Sequence, residues 1–179
     1  MRPRQPLPRL WLMTDPRMGD DLWAALERLP RGSGVVFRHY QLDAQARAAL
    51  FRRVRRVARR RRLVLLVAGA PLRGADGRHG PDARGGGLGL ATRSVHHRRD
   101  LVAAARACVD AVFASPVFPT RSHPGAPALG PVRFGRMIRN SRVPVIALGG
   151  MDAPRAHAIA SLGIHGWAAI DAWARDQTR

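Results

Sequence analysis

Lysine is absent from this chain of 179 residues, since all 31 of its basic residues are arginine. A Schiff base needs an amine side chain, so aldolase chemistry through a lysine imine is excluded. The formal net charge of +19 on its own is typical of a nucleic-acid-binding protein. However, the arginines are spread along the chain without a recognition motif. We therefore interpret them as solvated helix faces of an arginine-rich protein and expect no nucleic-acid partner.

Cysteine is almost absent as well, because Cys108 is the only one. A single cysteine cannot form a disulfide within one chain, and disulfide-free chains are typical of reducing compartments. Long apolar runs are also missing: none approaches the roughly 20 residues of a membrane-spanning helix. The short apolar stretch near the N-terminus is smaller than the apolar region of a secretory signal. We predict a cytoplasmic protein with no membrane partner.

Apolar residues make up 46% of the chain, which predicts one globular core and, at this length, one domain over residues 1–179. Its most informative stretch is VPVIALGGMD, residues 143–152, followed by GWAAID, residues 166–171. Two apolar strands, the first ending in Gly149-Gly150, are typical of the last two strands of a parallel α/β barrel. We therefore predict an α/β fold, a (β/α)8 or TIM barrel.

Eight short apolar runs fit the eight strands of such a barrel. The predicted strands are Leu10–Thr14, Gly34–Arg38, Leu63–Val67, Ala75–His79, Leu88–Val95, Ala111–Ser115, Val143–Leu148 and Gly166–Ile170. The predicted helices are Asp20–Leu29, Asp43 to about Arg62, His97–Cys108, Phe134–Asn140 and Ala153–Leu162.

The barrel is predicted to be reduced, because Ala68–Gly74 and Gly80–Gly87 contain too many glycines and prolines to form helices. The helices after strands 3 and 4 should be short or missing. Strands left bare in this way would expose apolar surface, so a homodimer is possible.

The carboxyl ends of the strands should form the active site of such a barrel. Gly149-Gly150 would let backbone amides approach an anion, and the loops after strands 7 and 8 are the usual phosphate site. Arg38 ends the second strand and suits a carboxylate or phosphate, although an ion pair with Asp15 is an equal alternative. His96 follows the fifth strand as a candidate acid or base, or as a surface histidine.

The loop after the sixth strand offers hydroxyls and charge at Thr120, Ser122 and His123, which could close over an anion. No HxxxH, CxxC or paired-carboxylate spacing indicates a metal, so no metal site is predicted.

Seven blocks of the chain, in order, resemble the thiamine phosphate synthase/TenI superfamily. Its ITD, hydrophobic-x-R, ADGVH, GxSxH, DYVxxGPVFPT, IPVxAIGGI and AGAxGVA patterns are similar to Leu12–Asp15, Val36–Arg38, Ala75–His79, Arg93–His96, Asp110–Thr120, Val143–Met151 and Gly163–Ala168. The resemblance extends over nearly the whole chain and implies the same barrel fold.

The resemblance implies one of two reactions on a phosphorylated thiazole. The synthase branch joins hydroxymethylpyrimidine diphosphate to thiazole phosphate, with Mg²⁺ supporting the leaving pyrophosphate. The TenI branch tautomerises thiazole phosphate carboxylate with a histidine in an RSVH block. Carried over to this chain, His96 would be catalytic; Arg38, Tyr40, Ser94, Thr120, Ser122 and His123 would bind substrate; and Gly149, Gly150, Ala169 and Ile170 would bind phosphate.

The chain departs from the synthase pattern at the diphosphate end. Tyr40 stands where the family has a lysine, Ala68-Gly69 replaces Asn-Asp, and only Asp82 is loosely placed as a second Mg²⁺ ligand. The loop Thr120–His123 carries histidine instead of lysine, and Asp171 replaces a phosphate-binding serine. Metal-assisted loss of a diphosphate needs both the ion and positive charge on the leaving group.

We therefore expect an enzyme of thiamine biosynthesis that is closer to a thiazole tautomerase than to a full synthase. A true synthase, with arginines supplying the missing charge, is the first alternative, and Mg²⁺ would be its cofactor. No other cofactor is expected. A barrel that binds a phosphorylated ligand without catalysis is the second alternative.

Overall fold

Eight parallel strands close into one barrel in the computed structural model, which describes residues 6–120, 125 and 127–173. Each strand pairs with the next in the chain, and the last pairs with the first through Leu10 opposite Trp167 and Leu12 opposite Ala169. The predicted TIM barrel is confirmed. The strands are β1 Leu10–Met13, β2 Gly34–Phe37, β3 Val64–Ala68, β4 Gly77–His79, β5 Leu90–Val95, β6 Ala111–Ala114, β7 Val145–Leu148 and β8 Gly166–Ala169.

Five α-helices surround the barrel in the described part of the chain: α1 Asp21–Arg28, α2 Ala44–Arg61, α3 Arg98–Arg106, α4 Gly130–Ile138 and α5 Ala153–Ala158. Asp43 caps α2, as expected, because its carboxylate accepts a hydrogen bond of 2.9 Å from the Ala46 N–H. Residues 69–76 and 80–89 contain no helix, so the predicted reduction of the barrel after strands 3 and 4 is confirmed.

Three strands begin two residues later than predicted, for local reasons, and the other strand ends lie within one residue of the prediction. The fourth strand begins at Gly77 instead of Ala75, because the Asp76 carboxylate turns to accept from the Leu65 N–H at 2.8 Å. The fifth begins at Leu90 instead of Leu88, because the Leu88 side chain lies fully in solvent. The seventh begins at Val145, since the preceding proline cannot donate to a strand ladder.

Two helix ends differ from the prediction by four residues, and the others lie within two residues of it. Helix α4 begins at Gly130, four residues before the predicted Phe134, because Pro131 lies in the first turn, where its missing N–H costs no hydrogen bond. Helix α5 ends at Ala158, and the chain continues as a short 3-10 helix, Ala160–Leu162. Further 3-10 turns lie at Pro16–Met18 and Asp171–Trp173.

Large side chains fill the barrel interior. Trp11 and Phe113 are fully buried and meet edge to face with ring centroids 5.2 Å apart. A Cβ at Gly34 would lie 2.1 Å from the Trp11 ring, so only glycine fits beside it. The interior is therefore a packed core rather than a pore, and the space for a ligand lies above it.

The side of the barrel without helices is covered in part by loops. Leu72 and Ala75 pack against the apolar residues between the strands and the surrounding helices, and Ala83 is buried among such residues. Among the described residues, no helix combines the length and apolar character needed to cross a bilayer. The single domain and the homodimer stay predictions.

Candidate functional site

A cavity of about 800 Å³ opens at the carboxyl ends of the strands, within the size range of small-molecule sites. The structure brings nine of the sequence-predicted site residues together in its lining: Arg38, Tyr40, Ser94, His96, Thr120, Gly149, Gly150, Ala169 and Ile170. The other two, Ser122 and His123, lie outside the described residues. The parallel topology explains this convergence, because every strand delivers its carboxyl end to the same mouth.

The loop after β7 passes so close to the loop after β6 that it requires glycine. Gly149 and Gly150 have φ angles of 94° and 59°, which side-chain-bearing residues rarely adopt. A Cβ on Gly150 would lie 2.3 Å from the Pro119 carbonyl oxygen. The Phe118 N–H donates to the Gly149 carbonyl at 3.0 Å. These contacts fix the backbone of the glycine pair at the wall of the cavity.

Arg155 adds a positive charge beside this loop. It lines the cavity, its Nη1 donates to the Gly150 carbonyl at 2.5 Å, and its guanidinium lies 5.2 Å from the centre of the Phe118 ring. Asp152 caps α5 by accepting from the Arg155 N–H at 2.8 Å. Sequence reasoning missed Arg155, because nothing in the sequence distinguishes it from the other arginines.

Arg38 satisfies both sequence-based interpretations at once. Its Nη2 is 3.3 Å from Asp15 Oδ2 and its Nε donates to the Thr14 carbonyl at 3.0 Å, yet the side chain also lines the cavity. Burial opposes ionisation of Asp15, but the hydrogen bonds and charge of Arg17, together with the charge of Arg38, outweigh it and leave the pKa of that carboxyl below its ordinary value. The contacts hold the Nε and Nη2 edge of the Arg38 guanidinium, and no hydrogen bond of Nη1 is seen among the described residues.

His96 is held in one tautomer when neutral. Its Nδ1 lies 3.0 Å from the Ser115 carbonyl oxygen, which can only accept, so Nδ1 carries the hydrogen. Nε2 is then the unprotonated nitrogen, able to accept a proton. The Asp100 carboxylate fixes the backbone here, because it accepts from the N–H groups of His96 and His97, both at 2.9 Å. These contacts fix the orientation of the His96 ring in the wall of the cavity.

His79 supports the same wall from below. It is 7% exposed, and its Nδ1 and Nε2 lie 3.0 Å from Thr92 Oγ1 and 3.1 Å from Ser94 Oγ. Burial lowers the pKa of His79 to about 4, so the ring is neutral at pH 7, with one nitrogen donating and the other accepting. The Ser94 hydroxyl is thus held by an uncharged partner at the edge of the cavity.

Comparison with known proteins identifies the chain. Residues 86–173 match the family model described as thiamine monophosphate synthase. The thiamine-phosphate synthases of two strains of Thermus thermophilus are each 31% identical over 163 residues, which cover 82% of this chain and 79% of theirs. This chain belongs to the thiamine phosphate synthase/TenI family. The resemblance found in the sequence is confirmed.

Solved structures support the fold of this family member. The thiamine phosphate pyrophosphorylase from Pyrococcus furiosus is similar with a TM-score of 0.73 at 20% identity, covering 90% of this chain and 85% of the other. An HpcH/HpaI aldolase from Desulfitobacterium hafniense is similar with a TM-score of 0.56 at 13% identity, with the same coverages. At these identities the likeness concerns the barrel alone.

The loop after β3, which the family resemblance assigns to the diphosphate, is held by contacts within the protein. Where the family has Asn-Asp after strand 3, Arg47 donates to the carbonyls of Ala68 and Ala70 at 2.6 and 3.0 Å. The ring of Tyr40 lies beside Gly69, since a Cβ there would be 3.2 Å from Tyr40 Cδ1. Arg47 was not predicted, because nothing in the sequence distinguishes it from the other arginines of α2, which are exposed or partly exposed.

The oxygen ligands at this end fit Mg²⁺ poorly, because that ion is usually held by one or two carboxylates. Asp82, the loosely placed substitute, lines a different cavity between the loops after β3 and β4. Among the side chains described at the mouth, Asp152 is the one carboxylate, and it caps α5. The described residues contain no group of three or more histidine, cysteine, aspartate or glutamate side chains suited to a metal.

Proposed function

We propose that the protein is a thiazole tautomerase, which moves a proton between two positions of a phosphorylated thiazole carboxylate. The orientation of His96 carries the proposal: the Ser115 carbonyl holds Nδ1–H and leaves Nε2 as the base at the cavity. Nε2 takes a proton from one position of the ligand and, as Nε2–H, returns it to another. No atom is lost in the cycle, and no leaving group needs a metal.

The other groups at the mouth suit the two anionic ends of such a ligand. The backbone at Gly149, Gly150, Ala169 and Ile170, with the Arg155 charge beside it, matches the phosphate end. Arg38 lines the same cavity, and its guanidinium suits a carboxylate. Ser94, Tyr40 and Thr120 supply further polar contacts. Two anchored anions would hold the ring against His96.

A true synthase is the second candidate, favoured by the 31% identity to thiamine-phosphate synthases over most of the chain. Against it stand Tyr40 in the lysine position and the carbonyls of Ala68 and Ala70, which bind Arg47 instead of facing a ligand. This candidate predicts Mg²⁺-dependent release of pyrophosphate from the pyrimidine diphosphate and thiazole phosphate. It also predicts growth of a thiamine auxotroph that lacks its own synthase.

The test is to incubate the purified protein with thiazole phosphate carboxylate and follow tautomerisation by the change in its spectrum or by deuterium uptake. We expect saturable acceleration without added metal. Tight binding with no acceleration and no pyrophosphate release would favour the third possibility, a non-catalytic phosphate-binding barrel. Failure to bind the thiazole phosphate at all would overturn the proposal.

A further inference from the structure

A second cavity, of about 510 Å³, lies away from the mouth, between α3 and the turn that connects α4 to β7. It lies beside the amino ends of β6 and β7, because Val109 and Val143, which precede those strands, line it. The strands are parallel and the mouth lies at their carboxyl ends. The two cavities share no lining residue.

The walls of this second cavity combine an apolar floor with a cationic rim. The floor includes Leu101, Val109 and Val143, which are buried. The rim carries four exposed arginines: Arg98, Arg106, Arg139 and Arg142. No acidic side chain is among the described residues that line the cavity. Among the described residues, none of these four arginines forms an ion pair with a carboxylate.

Like charges gathered around a partly apolar hollow repel one another and create a positive potential, which a bound anion relieves. One guanidinium is already anchored, because Arg98 Nη1 donates to the Arg139 carbonyl at 3.1 Å. An arginine held at one edge loses less conformational entropy when its remaining donors bind a phosphate or carboxylate.

The arginine-rich face of α2 offers a contrast. The cleft lined by Arg52, Arg55, Arg56 and Arg59 has no apolar wall residue, so it can attract counter-ions but cannot bury an organic group. The cavity beside α3 has both features, and its volume is within the range of about 300–1,000 Å³ that is usual for small-molecule sites.

We propose that the cavity between α3 and the α4–β7 turn binds a small amphipathic anion, an apolar group that carries a phosphate or a carboxylate. The apolar group packs on Leu101, Val109 and Val143, and the arginines of the rim hold the anion. The site is independent of the thiazole phosphate site at the mouth.

The chain provides its own reporter for a test. Cys108 is the only cysteine; it is exposed and lines this cavity. Alkylation of Cys108 by the uncharged reagent iodoacetamide, followed by mass spectrometry, should be slowed by phenyl phosphate. At about ten times its dissociation constant, we expect about tenfold protection, as simple occupancy requires. Phenol and inorganic phosphate, which each carry half of the ligand, should protect much less.

A pair of charge-matched variants completes the test. Arg106→Gln with Arg142→Gln should abolish protection by phenyl phosphate, whereas Arg133→Gln with Arg136→Gln, exposed on α4 outside the cavity, should preserve it. Protection is taken as the ratio of rates with and without ligand for each variant, so altered thiol reactivity cancels. No protection of the wild type, equal protection by inorganic phosphate, or equal loss in both variants would overturn the proposal.

Discussion

The two halves of the barrel mouth are built from different kinds of contact. On the β5–β8 side, backbone groups hold the side chains: Ser115 orients His96, and the loop after β6 presses on Gly149 and Gly150. On the β2–β4 side, a buried guanidinium, that of Arg47, binds the carbonyls of Ala68 and Ala70. The first half leaves ligand-binding atoms available. The second uses the carbonyls after β3 within the protein, and of its cations Arg38, after β2, lines the cavity.

The difference suggests that only one half of a two-substrate site is retained. Positive charge at a diphosphate site must be available to the leaving group, but Arg47 is 7% exposed and bonded to the protein. In the proposed tautomerase, the thiazole phosphate carboxylate needs only the β5–β8 half together with Arg38.

Replacing His96 by asparagine should cause the largest loss of tautomerase activity. The amide keeps a donor for the Ser115 carbonyl but removes Nε2, so kcat for tautomerisation should fall about 10²- to 10⁴-fold, the usual contribution of a general base. The matched control is His157→Asn, since that histidine is exposed on α5 and does not line the cavity. A His96→Asn enzyme as fast as the control would remove His96 from the mechanism.

Replacing Arg47 by methionine should affect stability rather than chemistry. The change removes hydrogen bonds to two carbonyls, and hydrogen bonds to charged groups contribute about 1.5–3 kcal/mol each. We expect the free energy of unfolding in urea to fall by about 3 kcal/mol, with kcat of the folded protein unchanged. Arg52→Met, on the exposed face of the same helix, is the control. If kcat fell as it does without His96, Arg47 would belong to the site.

His79 predicts a dependence of stability on pH. Its pKa is about 4 in the folded protein and about 6.5 in the unfolded chain. Between these values the unfolded state binds a proton that the folded state does not, so stability is complete above pH 6.5 and falls towards pH 4. The full difference corresponds to roughly 3 kcal/mol as an upper bound.

The measurement for His79 is urea unfolding at pH 7.5, 5.5 and 4.5. The wild type should lose stability over this interval, and His79→Gln should lose less of it. The variant should retain part of the slope, because burial also lowers the pKa of His39. If the free energy of unfolding fell equally with pH in the two proteins, His79 would not titrate in this way.

The close approach at Gly150 predicts the smallest effect. Gly163 and Gly150 both have positive φ angles, of 81° and 59°, but a Cβ at Gly163 would meet nothing within 4 Å. Gly163→Ala should therefore lower the free energy of unfolding only by the cost of a left-handed backbone for alanine, about 1–2 kcal/mol. Gly150→Ala should lower the free energy of unfolding by about 1 kcal/mol more, because its methyl group overpacks against Pro119. The variant should also bind the thiazole phosphate more weakly. Equal stability losses would show that the loops separate easily.

Much of the architecture could be predicted from the sequence, because buried parallel strands are short apolar runs and glycine and proline exclude helices after β3 and β4. The mouth residues followed, since parallel strands place all their carboxyl ends together. The exact bounds depended on individual contacts, such as that of Asp76 with Leu65, which no periodicity encodes.

Two arginines near the mouth and one contact between mouth residues could not be predicted. Arg47 and Arg155 are hidden among 31 basic residues, and only the folded structure distinguishes them from solvated arginines. The contact of His79 with Ser94 depends on strand register: His79 lies opposite Thr92, and Ser94, two residues further on, faces the same side. Without the register of β4 and β5, the pairing has no signal in the sequence.

One comparison decides between proton transfer on the thiazole, which we propose for this mouth, and diphosphate departure. The direct measurement compares two rates for one protein preparation: tautomerisation of thiazole phosphate carboxylate, and pyrophosphate release from the pyrimidine diphosphate with thiazole phosphate and Mg²⁺. We predict tautomerisation that depends on His96 and pyrophosphate release no faster than the uncatalysed background. Mg²⁺-dependent pyrophosphate release without tautomerisation would contradict the account.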